Sequence, residues 1–372
     1  MAPSLLSEKK VFIHDSVIDP VHQRGVDRCF YYFSYALADE FPGRALFFSK
    51  RRMNLPRIRH YFPVSHYLKM IDPFPRRIRD YLDQKHGQFI ADTKADFYYS
   101  PYYGKIKTQI PQVFTAHDMI YEKFPKYFSY DGAKEFIKEK RDCFERASLI
   151  LCVSKNTAKD ILSFYPQISE NKIKVVYNGV SEFFHAKLPS QVTEKPYFLF
   201  VGNRNLYKNF HRLLIAYGVS NLSNDFDLRV ISPINDFPTD SEKELINRYH
   251  LQDHIHINVS VTDEDLKKYY QESLALVFPS EYEGFGLPIL EAMASGTLVL
   301  ASGTSSILEI GGDIPLYFDP LSIESIVEIL NKAVSLPAIE RQERINKGKL
   351  HSMMFSWEIS KKRFIDAINS LK

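Results

Sequence analysis

Three cysteines in 372 residues cannot all pair, and Cys29, Cys143 and Cys152 show no metal-ligand spacing. A disulfide scaffold and a zinc module are both excluded, and the thiols read as reduced, buried small hydrophobes. No apolar run approaches the roughly 18 residues of a membrane span. Met1 to Lys10 holds no apolar stretch of signal-peptide length. The expectation is a cytoplasmic protein whose access to lipid is peripheral, on the inner face of the cell membrane. An excess of one charge is also missing: 48 Lys and Arg face 45 Asp and Glu, a net +3. That balance does not call for nucleic acid. Internal repeats and low-complexity tracts are absent, and 23 Tyr with 28 Phe argue against disorder.

A chain of 372 residues is more than one hydrophobic core usually serves, so two domains are expected. Short apolar runs alternate with amphipathic stretches. Lys10–His14, Pro111–His117, Ser148–Val153 and Ile173–Tyr177 read as strands, and Val26–Ala38 reads as a helix. A polar stretch with two prolines, Leu188–Pro196, reads as a linker. The pattern then restarts with strands at Tyr197–Val201, Leu228–Ile231, His254–Asn258, Leu274–Phe278 and Leu298–Ala301. Alternation of this kind predicts parallel α/β layers. The expected architecture is two doubly wound, Rossmann-like domains facing a cleft, 1–188 and 189–355, with ligands at the carboxyl ends of the strands.

One segment carries chemistry. Phe278-Pro-Ser-Glu-Tyr-Glu-Gly-Phe-Gly-Leu-Pro-Ile-Leu-Glu-Ala-Met-Ala-Ser-Gly296 reads as strand, glycine loop and short helix. Gly284 and Gly286 permit backbone angles closed to other residues and let a ligand come close. Pro288 suits a first helical turn, and Gly296 suits the stop. The helix start offers N–H groups and a partial positive charge to phosphate. Glu283 and Glu291 could form a hydrolytic carboxylate pair. Eight helical steps would separate their backbones by about 12 Å, beyond the roughly 5–9.5 Å that hydrolysis needs. A carboxylate is also a good acceptor for vicinal hydroxyls, as on ribose or a hexose.

Two glutamates within Glu-Gly-Phe-Gly-Leu-Pro-x-x-Glu-Ala-Met-Ala-x-Gly resemble the hallmark of the retaining glycosyltransferases of family four, with the GT-B fold. The resemblance spans nearly the whole chain, strongest over 197–320 and weakest over 40–110. It implies that Glu291 holds ribose and that Glu283 contacts the sugar or its phosphate, with Phe285, Gly286, Leu287 and Pro288 lining the donor. It implies the same for Gly202, Arg204 and Lys208 in Phe200-Val-Gly-Asn-Arg-Asn-Leu-Tyr-Lys-Asn-Phe210. There the Arg and Lys bind the donor diphosphate and stabilise it as it leaves. Asn203 stands where many members carry that Arg. The variant resembles a subgroup common among bacterial O-antigen mannosyltransferases, which points to GDP-mannose.

In Phe114-Thr-Ala-His-Asp-Met-Ile120, the resemblance gives His117 contact with the transferred sugar or acceptor, and Asp118 caps the next turn or orients His117. Gly25 and Arg28 match part of the family's first glycine loop, while Asp27 departs from it. Val261 opens a segment near the base site, where Val259 replaces a usual Gly. Ser154 is an expected helix N-cap, and Asn178-Gly179 a turn. Transfer with retention of anomeric configuration is implied by the family. No metal and no cofactor are called for if Arg204 and Lys208 carry the diphosphate charge, and no Asp-x-Asp pair of the metal-binding kind is recognised.

Between Arg44 and Arg79 lie ten Lys or Arg with one acid, Asp72, and aromatics Tyr61, Phe62, Tyr67 and Phe74 interleaved. Such a stretch could meet anionic lipid or a lipid-diphosphate acceptor, or be a solvated face. The amphipathic 356–372 is expected to cross back onto the first domain, as in GT-B enzymes. The sequence thus points to a hexosyltransferase acting on a nucleotide sugar and a glycan or lipid-linked acceptor. A GT-B epimerase or phosphorylase, or a non-catalytic glycan-binding subunit, are the rival readings.

Overall fold

The computed structural model describes residues 11–14, 25–41, 45–48, 59–61, 85, 87–92, 94–104, 106–188, 195–204, 206–232, 238–259 and 261–371. The chain divides into two compact units, one of residues 1–177 with 360–372 and one of 178–359.

The first unit is built on a seven-stranded parallel sheet. Its strands are β1 (Val11–His14), β2 (Ala45–Phe48), β3 (Arg59–Tyr61), β4 (Phe97–Ser100), β5 (Gln112–Ala116), β6 (Leu149–Cys152) and β7 (Ile173–Val175), in the order β3-β2-β1-β4-β5-β6-β7. Every residue of β4, β5 and β6 is buried. Continuous burial is what a parallel sheet covered on both faces requires. Helices α1 (Gly25–Glu40), α2 (Asp131–Arg146) and α3 (Lys155–Phe164) flank it. Tyr98, Phe114, Phe144, Ile150 and Ile161 share one buried cluster. Ser154 caps α3 by accepting from the Thr157 amide, as expected.

The second unit has a six-stranded parallel sheet of β8 (Tyr197–Val201), β9 (Asp227–Ser232), β10 (Ile255–Val259), β11 (Ala275–Phe278), β12 (Val299–Ser302) and β13 (Leu316–Phe318), in the order β10-β9-β8-β11-β12-β13. Around it lie α4 (Phe210–Val219), α5 (Asp240–Arg248), α6 (Asp263–Glu272), α7 (Leu287–Ser295), α8 (Ser305–Gly311), α9 (Ile323–Ser335) and α10 (Ala338–Ser352). Phe198, Phe200, Leu213, Val230, Val277, Leu300 and Leu330 form its core. Thr239 and Thr262 begin α5 and α6 with reciprocal capping boxes. Strand order reverses between β1 and β4 in one unit and between β8 and β11 in the other. Ligands of open α/β sheets bind at the carboxyl side of such switch points.

Two expectations are corrected. The division falls at Tyr177 rather than within the expected linker, because residues 178–188 pack into the second unit. Val180 N–H donates to the Phe355 carbonyl (2.6 Å), Phe184 is fully buried beside Tyr270, and Leu188 N–H donates to Gln271 Oε1 (3.0 Å). Gly179 fits there because a Cβ would stand 2.3 Å from the Trp357 nitrogen. At the other end, α11 (Trp357–Asn369) joins the first unit from Ser360 onward, four residues after the expected crossing at 356. Its Phe364 stacks on Phe33 with centroids 4.3 Å apart and meets Tyr99 edge-on at 5.2 Å. The basic stretch of 44–79 contributes the backbone of β2 and β3; its side chains lie outside the described residues.

Candidate active site

Gly202 follows β8 with φ of +145°, and a Cβ there would meet nothing within 4 Å. The turn therefore demands glycine by its backbone angle and leaves open space beside it. The chain then makes a short 3-10 turn, Leu206–Lys208, that carries the Lys208 ammonium to the loop after β11. Lys208 Nζ donates to Glu283 Oε1 at 2.6 Å, with both side chains largely buried. The rings of Tyr207 and Phe278 lie 5.4 and 5.8 Å from that ammonium. A cation between two ring faces and a carboxylate is held at a fixed point.

Neighbouring residues lock the two loops to each other. Asn209, in the left-handed region at φ 61°, donates through Nδ2 to the carbonyls of Pro279 (3.0 Å) and Pro320 (2.6 Å). Arg212 donates to Asn209 Oδ1 and Glu281 Oε1, each at 2.6 Å. Glu281 N–H donates to the Tyr207 carbonyl (2.8 Å). Glu283 N–H donates to Ser305 Oγ (3.0 Å), and the Ser306 hydroxyl donates to the carbonyls of Glu283 (2.8 Å) and Phe285 (2.9 Å). The Glu283 loop is thus clamped from α8. None of Asn209, Arg212, Glu281, Ser305 or Ser306 was singled out from the sequence. Only Glu281 and the Lys-Asn step lay inside motifs that could have flagged them.

Gly286 stands before α7 at φ +110°, and Leu287 and Pro288 open the helix, where the missing N–H of proline costs nothing. Gly296, at φ +82°, ends it. The Phe285 ring is buried against Phe355 (6.3 Å between centroids), so this residue faces the core. Glu291 is buried on α7 and accepts from Tyr270 Oη at 3.1 Å, while Thr297 Oγ1 donates to the Tyr270 carbonyl (2.6 Å). Glu283 thus meets an ammonium and Glu291 a phenol. Val261 is half-buried just before the Thr262 cap.

Arg204, which the resemblance assigns to the donor diphosphate, is paired with an acid. Its Nε donates to Glu242 Oε1 (3.0 Å), with the two side chains 6% and 0% exposed. Glu242 was not singled out from the sequence, since 38 residues separate the partners.

In the first unit, His117 lies one residue beyond β5, is buried, and donates from Nε2 to the Pro101 carbonyl (2.7 Å). Burial lowers its pKa below the ordinary 6.5, against opposing contributions from that hydrogen bond and from Asp118. The ring is therefore neutral near pH 7. Asp118 Oδ1 accepts from Ile120 N–H (3.1 Å), the turn cap expected of it. Behind them Lys140, fully buried among Tyr103, Tyr121 and Phe136, donates to Glu122 (2.6 Å) and to the Asp118 carbonyl (3.3 Å). Gly25 opens α1 and Arg28 sits in its first turn.

Two Asp-x-Asp triplets passed over in the sequence reading are accounted for locally. Asp227 of the first forms an ion pair with Lys195 (2.9 Å) and accepts from His256 (3.1 Å); burial opposes its charge, yet these partners hold its pKa below the usual range. In the second, Asp265 closes the capping box of α6. Among the described residues no group of three or more His, Cys, Asp or Glu is placed to hold a metal ion. The three cysteines are free and buried. No helix among the described residues is long and apolar enough to cross a membrane.

Two parallel Rossmann-like sheets with a glycine turn, a cation and a carboxylate at the second one's switch point define the GT-B class. Residues 22–182 match the family model described as Glycosyltransferase Family 4, and residues 181–351 match that described as Glycosyl transferases group 1. The chain belongs to these glycosyltransferases. The O-antigen chain mannosyltransferase B of Escherichia coli is 27% identical over 294 residues, 76% of each chain. The O-antigen chain mannosyltransferase RfbU of Salmonella typhimurium is 30% identical over 233 residues, 62% of this chain and 63% of that one. Among solved structures, Anabaena HepE in complex with UDP and glucose has a TM-score of 0.74 at 16% identity, covering 98% of this chain and 100% of that one. That likeness speaks to the fold.

Proposed function

We propose that this glycosyltransferase moves a hexose, mannose from GDP-mannose, onto a glycan or lipid-linked acceptor in cell-surface polysaccharide synthesis. The observation that carries the donor-site reading is the Lys208–Glu283 pair at the end of the β8–β11 switch point, beside the start of α7. The names of the two mannosyltransferase relatives support the choice of sugar and of acceptor class.

Glu291, held by Tyr270, takes the ribose hydroxyls; the Gly202 turn admits the diphosphate. Lys208 neutralises charge on the departing diphosphate, and its contribution to rate is the part that strengthens in the transition state. Retention follows from the family, with the acceptor attacking on the face the nucleotide leaves. Lys208, Arg204 and the helix start supply the positive charge, so the reaction runs without a metal or other cofactor. Neutral His117 contacts the transferred sugar or the acceptor. The basic stretch of 44–79 supplies peripheral contact with anionic lipid.

The test offers the purified protein a panel of nucleotide sugars and measures nucleotide release with and without glycan and lipid-diphosphate acceptors. GDP release from GDP-mannose, dependent on acceptor, is expected. Folded protein that binds and turns over no donor would return the reading to a non-catalytic glycan-binding subunit. Interconversion of the sugar without transfer would make it an epimerase.

A further inference from the structure

We infer that Glu242 is a positioning residue for the donor diphosphate: it fixes the Arg204 guanidinium at the carboxyl end of β8. The inference rests on the donor role proposed above and names a residue that neither family motif contains.

The geometry is specific. Arg204 lies two residues beyond the Gly202 turn, at the end of β8. Glu242 lies on the first turn of α5, the helix that follows β9, and β9 is the hydrogen-bonded neighbour of β8. Glu242 is held from two sides. Its Oε1 accepts from Arg204 Nε (3.0 Å), and its Oε2 accepts from Thr239 N–H (2.7 Å) in the capping box. The carboxylate therefore cannot rotate away without giving up a backbone donor. Phe210 closes a third side, its ring centroid 6.0 Å from the guanidinium carbon.

A capping box needs only a carboxylate or amide at its third position, usually at the surface. Here that residue is fully buried. A buried carboxylate is costly unless it is paired and fully hydrogen-bonded. That cost sets the direction of control: leaving Glu242 unpaired is unfavourable, so Arg204 stays where it is and meets the diphosphate in place. A guanidinium held in advance loses little freedom when an anion arrives. A cationic site supported in this way tolerates displacement of only about 0.5 Å. The α5 cap thereby determines where a donor phosphate can sit.

A double-mutant cycle tests this, with donor turnover and direct GDP binding as readouts. The variants are R204Q, E242Q and R204Q/E242Q, the last keeping a neutral hydrogen-bonded pair. E242Q should weaken GDP binding about tenfold and lower kcat, with the acceptor KM unchanged. R204Q should lower kcat/KM about 100-fold, and the double variant should match R204Q within about twofold, because Glu242 acts only through Arg204. Thr239→Ala removes the hydroxyl that accepts from Glu242 N–H but keeps both the backbone N–H that holds Glu242 Oε2 and the ion pair, so it should lower Tm without moving kcat. If E242Q fails to fold, E242D keeps the charge on a shorter arm and should fold yet show the same loss of GDP affinity. Additive losses in the cycle, or E242Q and E242D with wild-type GDP affinity, overturn the inference while leaving the transferase reading intact. Wild-type protein that binds neither GDP nor UDP and turns over no donor overturns both.

Discussion

Lys208→Ala is the sharpest perturbation of the donor site. Lys208 donates to Glu283 at 2.6 Å, and the side chains are only 16% and 13% exposed. Solvent screens such a pair partially, so its removal costs more than a surface ion pair. A hydrogen bond to a charged group contributes about 1.5–3 kcal/mol, and one unit of about 1.36 kcal/mol is tenfold in rate. Ground-state loss of the contact alone would therefore lower kcat/KM by about 10- to 150-fold. Where the ammonium meets charge that develops on the leaving diphosphate, the loss lies in kcat and reaches about 10²–10³. Stability changes too, because Glu283 loses its partner. For a unit of this size about 1 kcal/mol shifts Tm by roughly 2–4 °C, so a fall of about 3–12 °C is expected. Steady-state turnover with donor and acceptor varied separately, alongside a thermal melt, resolves the two effects. Folded Lys208→Ala with kcat within threefold of wild type would refute the assigned role.

Three further outcomes follow from the same structure. Tyr270→Phe removes the hydroxyl that donates to Glu291; a lost neutral-to-charged bond of about 1.5–3 kcal/mol should raise the donor KM at least about tenfold, and an unchanged KM would detach Glu291 from ribose. Gly179→Ala places a Cβ 2.3 Å from the Trp357 backbone nitrogen, whereas a Cβ at Gly104 meets nothing within 4 Å. Overpacking of this kind costs about 1–3 kcal/mol or more, so the first variant should melt several degrees lower and Gly104→Ala should not; equal melts would discount the close approach. His117 has its pKa lowered below 6.5 by burial. The unfolded chain then binds the proton more readily, so the stability it contributes is complete above about pH 6.5 and falls as pH drops below it. His117→Gln should flatten the decline in Tm between pH 7 and 5, and a parallel decline in both proteins would contradict the neutral buried ring.

How much of this was legible in the sequence depended on the range over which the physics acts. Strand positions such as Tyr197–Val201 and Ala275–Phe278 were legible because a parallel sheet buries both faces and leaves an unbroken apolar run. The Gly286, Pro288 and Gly296 punctuation of α7 was legible because backbone angles and a missing N–H are local properties. β4 was missed although every one of its residues is buried, since Phe-Tyr-Tyr-Ser carries three aromatics and no aliphatic run. β13 was missed because its Leu-Tyr-Phe lies between Pro315 and Asp319-Pro320 and lacks the longer apolar run that marks β7. The site was legible in its charged residues but not in their partners. Nothing local marks Glu242 as the mate of Arg204 across 38 residues, or Arg212 as the mate of Glu281 across 69. The two Asp-x-Asp triplets were unremarked for the converse reason: a short pattern of acids has no fixed meaning until the fold assigns it to a helix cap or a strand end.

The Phe33–Phe364 stack has a consequence for how the chain is made. The first unit draws on residues 1–177 and 360–372, so the 182 residues of 178–359 are synthesised before its aromatic layer can close. At 5–20 residues per second that interval is about 10–40 s. During it, Phe33 and Tyr99 lack the ring that covers them in the finished protein. The second unit is contiguous in sequence and carries no such delay. The two halves are therefore completed in the reverse of the order in which they are begun, and a stop codon just before 360 would damage the half translated first.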